Sequence, residues 1–293
     1  MKKKLINIFI VIFFIIGLSL LLYPTVANQW NTYRQSKLMS SYEEQVEEME
    51  SSGVVDMEKE WEKARAYNEA LLPSILPDSF AVAEASEEED KSYTSSLNLT
   101  GDGMMGKIVI PKIDVELPIF HYTTEEVLEN GVGHLEGSSL PIGGENTHSV
   151  LSAHRGLPSA TLFTDLDRLE TGDHFLLYVL DDVLCYEVDQ IKVVEPKETQ
   201  DLAVEDGKDL VTLFTCTPYG VNTHRLLVRG HRVPYEESIL ADEGVPTANK
   251  SLHTHYVLWV VVGLVVTGIL ILLMYLFDKR RKAKNSSKKR DEV

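Results

Sequence analysis

The chain carries a thiol, a guanidinium and several imidazoles in settings that suit a reactive thiol site. Cys216 and Arg225 fall in VTLFTCTPYGVNTHRLLVRGHR, residues 211–232. Val211–Cys216 is short, β-branched and aromatic, so it reads as a strand. Thr217–His224 holds Thr, Pro, Gly and Asn, which is turn chemistry, and Arg225–Val228 is again β-prone. If the two strands pair antiparallel, Cys216 and Arg225 meet at the mouth of the loop. A cationic neighbour favours thiolate, and arginine does not lose its charge to become a base. A base must therefore come from elsewhere. His154 stands where the strand HSVLSA runs into the loop HRGLPS, a place suited to facing a cleft. His134, His224 and His231 compete with it, and bare proximity to Arg225 favours His224; spacing does not decide among them.

Each candidate has a plain alternative. Cys216 can be a small buried hydrophobe or a disulfide partner of Cys185, the other cysteine, which lies mid-strand in VLCYEV. His154 can be a surface or satisfied core histidine. Asp165 and Asp167 could orient a histidine, but they fall on a predicted short amphipathic helix, Ser159–Leu169, where solvated carboxylates are the ordinary outcome. No CxxC or HExxH occurs, so no metal is expected. The glycine-rich segment 131–144 reads as a loop; it matches neither GxGxxG nor GxxxxGK[ST], and no cofactor is expected.

The elements that must position these residues change texture along the chain. Residues 5–23 form an apolar run preceded by Lys2, Lys3 and Lys4. The run is long enough for a membrane anchor with its N-terminus inside; cleavage as a signal segment near Thr25-Val26-Ala27 is the competing reading. A second uncharged run, 256–277, precedes a basic tail, 278–293, which is a stop-transfer pattern. Both termini are then cytoplasmic, and the intervening domain is extracellular. The net charge of −17 is concentrated between two basic ends, which argues against nucleic acid as a partner. Residues 24–72 read as a helical stalk or pre-domain, broken near Ser51-Ser52-Gly53. Residues 73–104 read as a loop, with an acidic patch at 84–90. Residues 105–235 carry many short strands with few short helices, which points to a β-barrel or sandwich. Residues 236–255 form a linker.

At this level the residues resemble a known family. TLFTC followed by PYGVNTHRLLVRG, together with AHRG around His154, looks like the signature of sortases, cysteine transpeptidases of Gram-positive surfaces. The longer match, through GKIVIPKIDVELPIF, GVGHLEGSSLPIGG and LSAHRGLPSATLFTDLDRL, is similar to the class C, pilus-building members. The resemblance implies an eight-stranded β-barrel with short helices, flanked here by two transmembrane helices. It implies Cys216 as nucleophile, His154 as general acid and base, and Arg225 as the group that stabilises substrate and oxyanion. It implies partners too: pilin precursors with LPXTG-like sorting signals, and the lysine amine of another pilin as acceptor. A housekeeping-type member acting on a peptidoglycan precursor, and a non-catalytic assembly module held by a Cys185–Cys216 disulfide, are the alternatives. Class C members carry a lid with an Asp-Pro-aromatic motif. Here the nearest match is Asp78-Ser79-Phe80, which lacks the proline and its fixed φ. A more mobile lid is therefore expected, with Asp78 on Arg225 and Phe80 over Cys216.

Overall fold

The computed structural model describes residues 2–71, 76–82 and 91–236, together with Gly263 and Gly268. The chain divides into two compact units, Val26–Thr247 and a second made of Met1–Thr25 with Ala248–Val293. Apart from those two glycines and Glu236, the linker, the second apolar run and the basic tail lie outside the described residues. Of the two membrane helices expected, one is therefore in view: among the described residues a single helix, over Ile12–Ser51, is long and apolar enough to cross a membrane. It belongs to α1 (Lys2–Ser51), in which Phe13 and Leu20 are exposed.

Helix α2 (Met57–Ala70) follows a break at Ser52–Val55 and starts on Asp56, whose carboxylate accepts the Lys59 amide. The break has a local cause. Gly53 takes a left-handed φ of +66°, open to a residue without Cβ. Met39, Tyr42 and Val46 of α1 bury against Met57 and Met104, and Ala64 of α2 enters the main core. Two one-turn helices follow, α3 (Ser79–Val82) and α4 (Lys91–Thr94).

Eight strands then close into a barrel: β1 (Met104–Ile110), β2 (Val115–His121), β3 (Val132–His134), β4 (Thr147–Ser152), β5 (His174–Val179), β6 (Asp182–Val194), β7 (Asp209–Thr217) and β8 (His224–Val233). The order around the barrel is β1-β2-β3-β4-β7-β8-β6-β5. The β2–β3 and β4–β7 pairs are parallel, and the other pairs are antiparallel. Closure removes free strand edges. The interior is filled by residues such as Ile108, Ile119, Phe175, Leu177, Val211, Leu213 and Val228, all nearly fully buried. Helix α5 (Glu125–Asn130) crosses between β2 and β3, capped by the Thr124 hydroxyl.

Two local expectations change. Val132–His134, expected as loop, is a strand because it pairs with both β2 and β4. Residues 159–169 form no α-helix, only a 3-10 turn at Leu166–Arg168. There Leu162 takes a left-handed φ of +44°, which breaks a continuous i→i−4 ladder, and Asn28 of α1 accepts the Thr161 amide.

The segment before the barrel is tied down by a buried polar knot. The Tyr93 hydroxyl lies 2.8 Å from His134 Nδ1 and accepts the Tyr122 amide. His134 Nε2 faces the Ser139 carbonyl at 2.8 Å. Burial pushes the His134 imidazole down to about 3, so it stays neutral, donating from Nε2 and accepting at Nδ1. His134 is a packing residue of this knot.

Candidate active site

The strand pair expected from residues 211–232 forms. β7 and β8 run antiparallel with Cys216 directly opposite Arg225 and Thr217 opposite His224. Antiparallel neighbours on one face stand about 5 Å apart, so the thiol and the guanidinium share the barrel end next to the 218–223 loop. His154 arrives from β4, which runs parallel to β7 with Ser152 opposite Phe214. Two further bonds carry this register past the strand end: Ala153 N donates to the Phe214 carbonyl at 3.2 Å, and Thr215 Oγ1 donates to the Ala153 carbonyl at 2.7 Å. His154 therefore comes alongside Cys216. The sheet brings the three sequence-predicted residues together from three strands.

The segment before the barrel lies over them. Asp78 grips Arg225 with both carboxylate oxygens, at 2.8 Å from Nε and 2.7 Å from Nη2. Both side chains are nearly buried, 12% and 10% exposed. The remaining nitrogen, Nη1, donates to the Asn222 and His224 carbonyls at 3.2 and 3.1 Å. Phe80 lies 5.4 Å from the His154 ring and 5.9 Å from Phe214, with the Arg225 guanidinium 5.3 Å from its own centroid. Leu76 packs beside it against Leu135, Val150, Leu202 and Leu227. Thr123 holds the segment from below by donating to the Ser79 carbonyl at 2.8 Å.

This cover alters the electrostatics expected from sequence. A cation beside Cys216 was expected to favour thiolate, yet burial pushes the thiol up; Arg225 opposes this, and the Asp78 charge adds to it. Arg225 loses to burial but is held above its ordinary range by the Asp78 hydrogen bonds and by the charges of Cys216 and Asp78. The Asp78–Arg225 pair thus neutralises the charge that would activate the thiol. An open cavity of ≈ 890 Å³ lies elsewhere, against Asn68, Gly144, His148 and Leu202. Asp78 and Phe80 lie instead against Arg225, His154 and Phe214, the residues that flank Cys216.

The comparisons with known proteins agree with this geometry. A model of the sortase domain matches residues 108–233. Sortase D of Bacillus subtilis (strain 168) is 33% identical over 168 residues, which cover 56% of this chain and 81% of that protein. The chain belongs to the sortase family. It is a cysteine transpeptidase by that membership. Among solved structures it is similar to sortase C of Streptococcus pneumoniae, at 44% identity over 68% of this chain and 97% of that one, with a TM-score of 0.60. That structure is described as informative on catalysis and pilin substrate specificity. Sortase C1 of Streptococcus agalactiae is 46% identical over 68% of this chain and 100% of that one, also with a TM-score of 0.60.

The other candidates fall away from the sortase site. His224 is exposed, and its Nδ1 bonds to the neighbouring Thr223 hydroxyl at 2.9 Å. His231 lies on the other half of β8, 4.0 Å from Asp189. No disulfide joins Cys185 to Cys216. On β6 it is Val194 that pairs with Arg225, and Cys185 sits nine residues back, about 30 Å along the strand. That is far beyond the span of a disulfide. Asp167 pairs with Arg155 at 2.5 Å, and Asp165 with Arg168 at 3.8 Å; neither meets a histidine.

Sequence reasoning missed two residues. Arg155 donates to the Thr164 carbonyl at 3.1 Å and to the Thr217 hydroxyl at 3.0 Å, so it braces the loop after His154 against the end of β7. Its position next to His154 in AHRG was the available signal. Glu125, the first residue of α5, sets Oε1 3.5 Å from His154 Nε2. Nothing in the local sequence distinguishes it from the neighbouring Glu126.

Proposed function

We propose that this sortase polymerises pilins. It cleaves LPXTG-like sorting signals between Thr and Gly, and it joins the resulting acyl group to a lysine amine of another pilin. The observation that carries this reading is Asp78-Ser79-Phe80 folded over the site. Such a cover belongs to the class C pattern, and its likeness to sortase C of Streptococcus pneumoniae supports the same assignment.

Cys216 is the nucleophile. Its sulfur attacks the scissile carbonyl, forming the S–C bond of a thioacyl enzyme as the C–N bond breaks. His154 gives its proton to the departing amine and then takes one from the incoming lysine. Arg225 supplies N–H donors where negative charge develops on oxygen. The helix at the N-terminus and the uncharged run 256–277 anchor the enzyme in the membrane, with both termini cytoplasmic and the barrel outside. Incubating the detergent-solubilised chain with a pilin precursor tests the reading. Covalent ladders are expected from the wild type and none from Cys216→Ala. Monomers joined only to cell-wall precursor would replace it with the housekeeping reading.

A further inference from the structure

The His154 ring offers two nitrogens, and they are placed differently. Nε2 is buried and has no hydrogen-bond partner. The polar group in front of it is the Glu125 carboxylate, at 3.5 Å, while the Glu125 side chain is itself 67% exposed. A buried ring nitrogen without a partner is costly. It is tolerated here because the carboxylate stands one small movement away, and hydrogen bonds at such sites commonly tighten only when substrate binds.

Glu125 is held where it can make that movement. Thr124 caps α5 by accepting the Val127 amide at 3.4 Å, which fixes Glu125 as the first residue of the helix. Thr123, one residue earlier, bonds to the Ser79 carbonyl, so the β2–α5 junction touches both the cover and the histidine. The other charged groups around His154 are committed elsewhere. Asp78 is paired with Arg225, and Arg155 with Asp167. Cys216 of β7 comes alongside in the β4–β7 register, and Phe80 packs against the ring.

Resting on the function proposed above, we infer that Glu125 is a positioning residue: its carboxylate accepts the Nε2–H of His154 and so keeps Nδ1 available to Cys216 and the substrate amine. The tautomer is fixed by the bond the far nitrogen makes. The proton count then closes. In acylation the proton on Nδ1 goes to the leaving amine, and the ring becomes neutral with its remaining proton on Nε2, facing Glu125. In the second step Nδ1 takes a proton from the attacking lysine amine as the C–S bond breaks. With the proton on Nδ1 instead, the neutral ring could not accept there, and the second step would stall. Glu125 exchanges no proton in either step.

The test uses the full chain in detergent, with ¹⁵N-labelled histidine and His154 signals assigned by difference from His154→Gln. Wild type and Glu125→Gln are expected to show the Nε2–H tautomer, because glutamine retains an acceptor oxygen. Glu125→Ala is expected to show a mixture. Against a sorting-signal peptide and an amine acceptor, Glu125→Ala should lower kcat about tenfold with KM little changed, the scale of other groups that orient a working histidine, and Glu125→Gln should recover most of the loss. A wild-type Nδ1–H tautomer, or a Glu125→Ala variant with unaltered tautomer and kcat, would overturn the assignment. So would a Glu125→Gln variant as slow as Glu125→Ala. The tautomer is read without turnover, so a wild type that makes no thioacyl enzyme would count against the proposed function and leave this measurement to decide the role of Glu125.

Discussion

Asp78→Ala should open the site, and the size of the effect follows from the contacts it removes. Asp78 makes two charge-assisted hydrogen bonds to Arg225, each about 1.5–3 kcal/mol in a folded protein. Opening returns both charges to water and recovers much of this, so the net hold is about 2 kcal/mol. Phe80 and Leu76 contacts survive the substitution. A 2 kcal/mol shift raises the open population about thirtyfold, and alkylation of Cys216 by iodoacetamide should accelerate by that factor. Cys185 is fully buried and should not compete in the folded protein. A second signature separates access from mere loosening. The Asp78 charge contributes to the raised Cys216 thiol, so its removal should also move the midpoint of the alkylation–pH curve downward. Ser79→Ala should act in the opposite direction. The Ser79 hydroxyl is buried with no partner, and deleting it relieves about 1 kcal/mol, slowing alkylation about fivefold. Equal alkylation rates in wild type, Asp78→Ala and Ser79→Ala would refute the idea that this segment controls access to the thiol.

Other outcomes follow from the same contacts. The His134 imidazole is held down to about 3 by burial, against 6.5 when unfolded, so the unfolded chain binds the extra proton. Stability is then full above about pH 6.5 and falls toward pH 3, with about 2 kcal/mol lost by pH 5. His121, also lowered by burial, acts in the same direction, and His134→Gln should flatten a plot of Tm against pH. Arg155→Met should cut turnover while leaving Tm within a few degrees, since it frees the loop after His154 from Thr217 but leaves the barrel core intact; a Tm collapse would mark it as structural. A Cβ on Gly106 would lie 2.2 Å from the Tyr178 carbonyl oxygen, a backbone atom fixed in the β1–β5 ladder, so Gly106→Ala should lose about 3 kcal/mol or more in urea unfolding.

The residues differ in how far the sequence reveals them. Cys216 and Arg225 are legible because turn chemistry and β-propensity leave one simple pairing, and β7 and β8 adopt it. His154 is not legible by spacing. Its approach depends on the parallel β4–β7 pair, a contact between strands separated by β5 and β6, and only the AHRG motif pointed to it. β3 was hidden because three residues among glycines have no periodicity to show, and its pairing is entirely long-range. The helix expected at 159–169 had the right apolar pattern, but a left-handed Leu162 overrides that pattern. Glu125 is the extreme case, since its relation to His154 exists only once α5 is set against the end of β4.

The cover also explains how one arginine can serve two states. Four of the five N–H donors of Arg225 are engaged while Asp78 is in place, which leaves a single Nη2 N–H for an oxyanion. The same engagement leaves the buried Cys216 thiol raised. Displacing Asp78 changes three things at once: Nε and Nη2 of Arg225 become free, its positive charge acts on Cys216 without opposition, and water reaches the thiol. Each of these favours the thiolate or the transition state. On the proposed function, substrate binding and activation are one event, because a sorting signal would enter where Asp78 and Phe80 leave. Activation by this route needs no change in the barrel. It predicts that Asp78→Ala raises the rate of thioacyl formation with short peptides, yet has little effect once a saturating substrate has already displaced the segment.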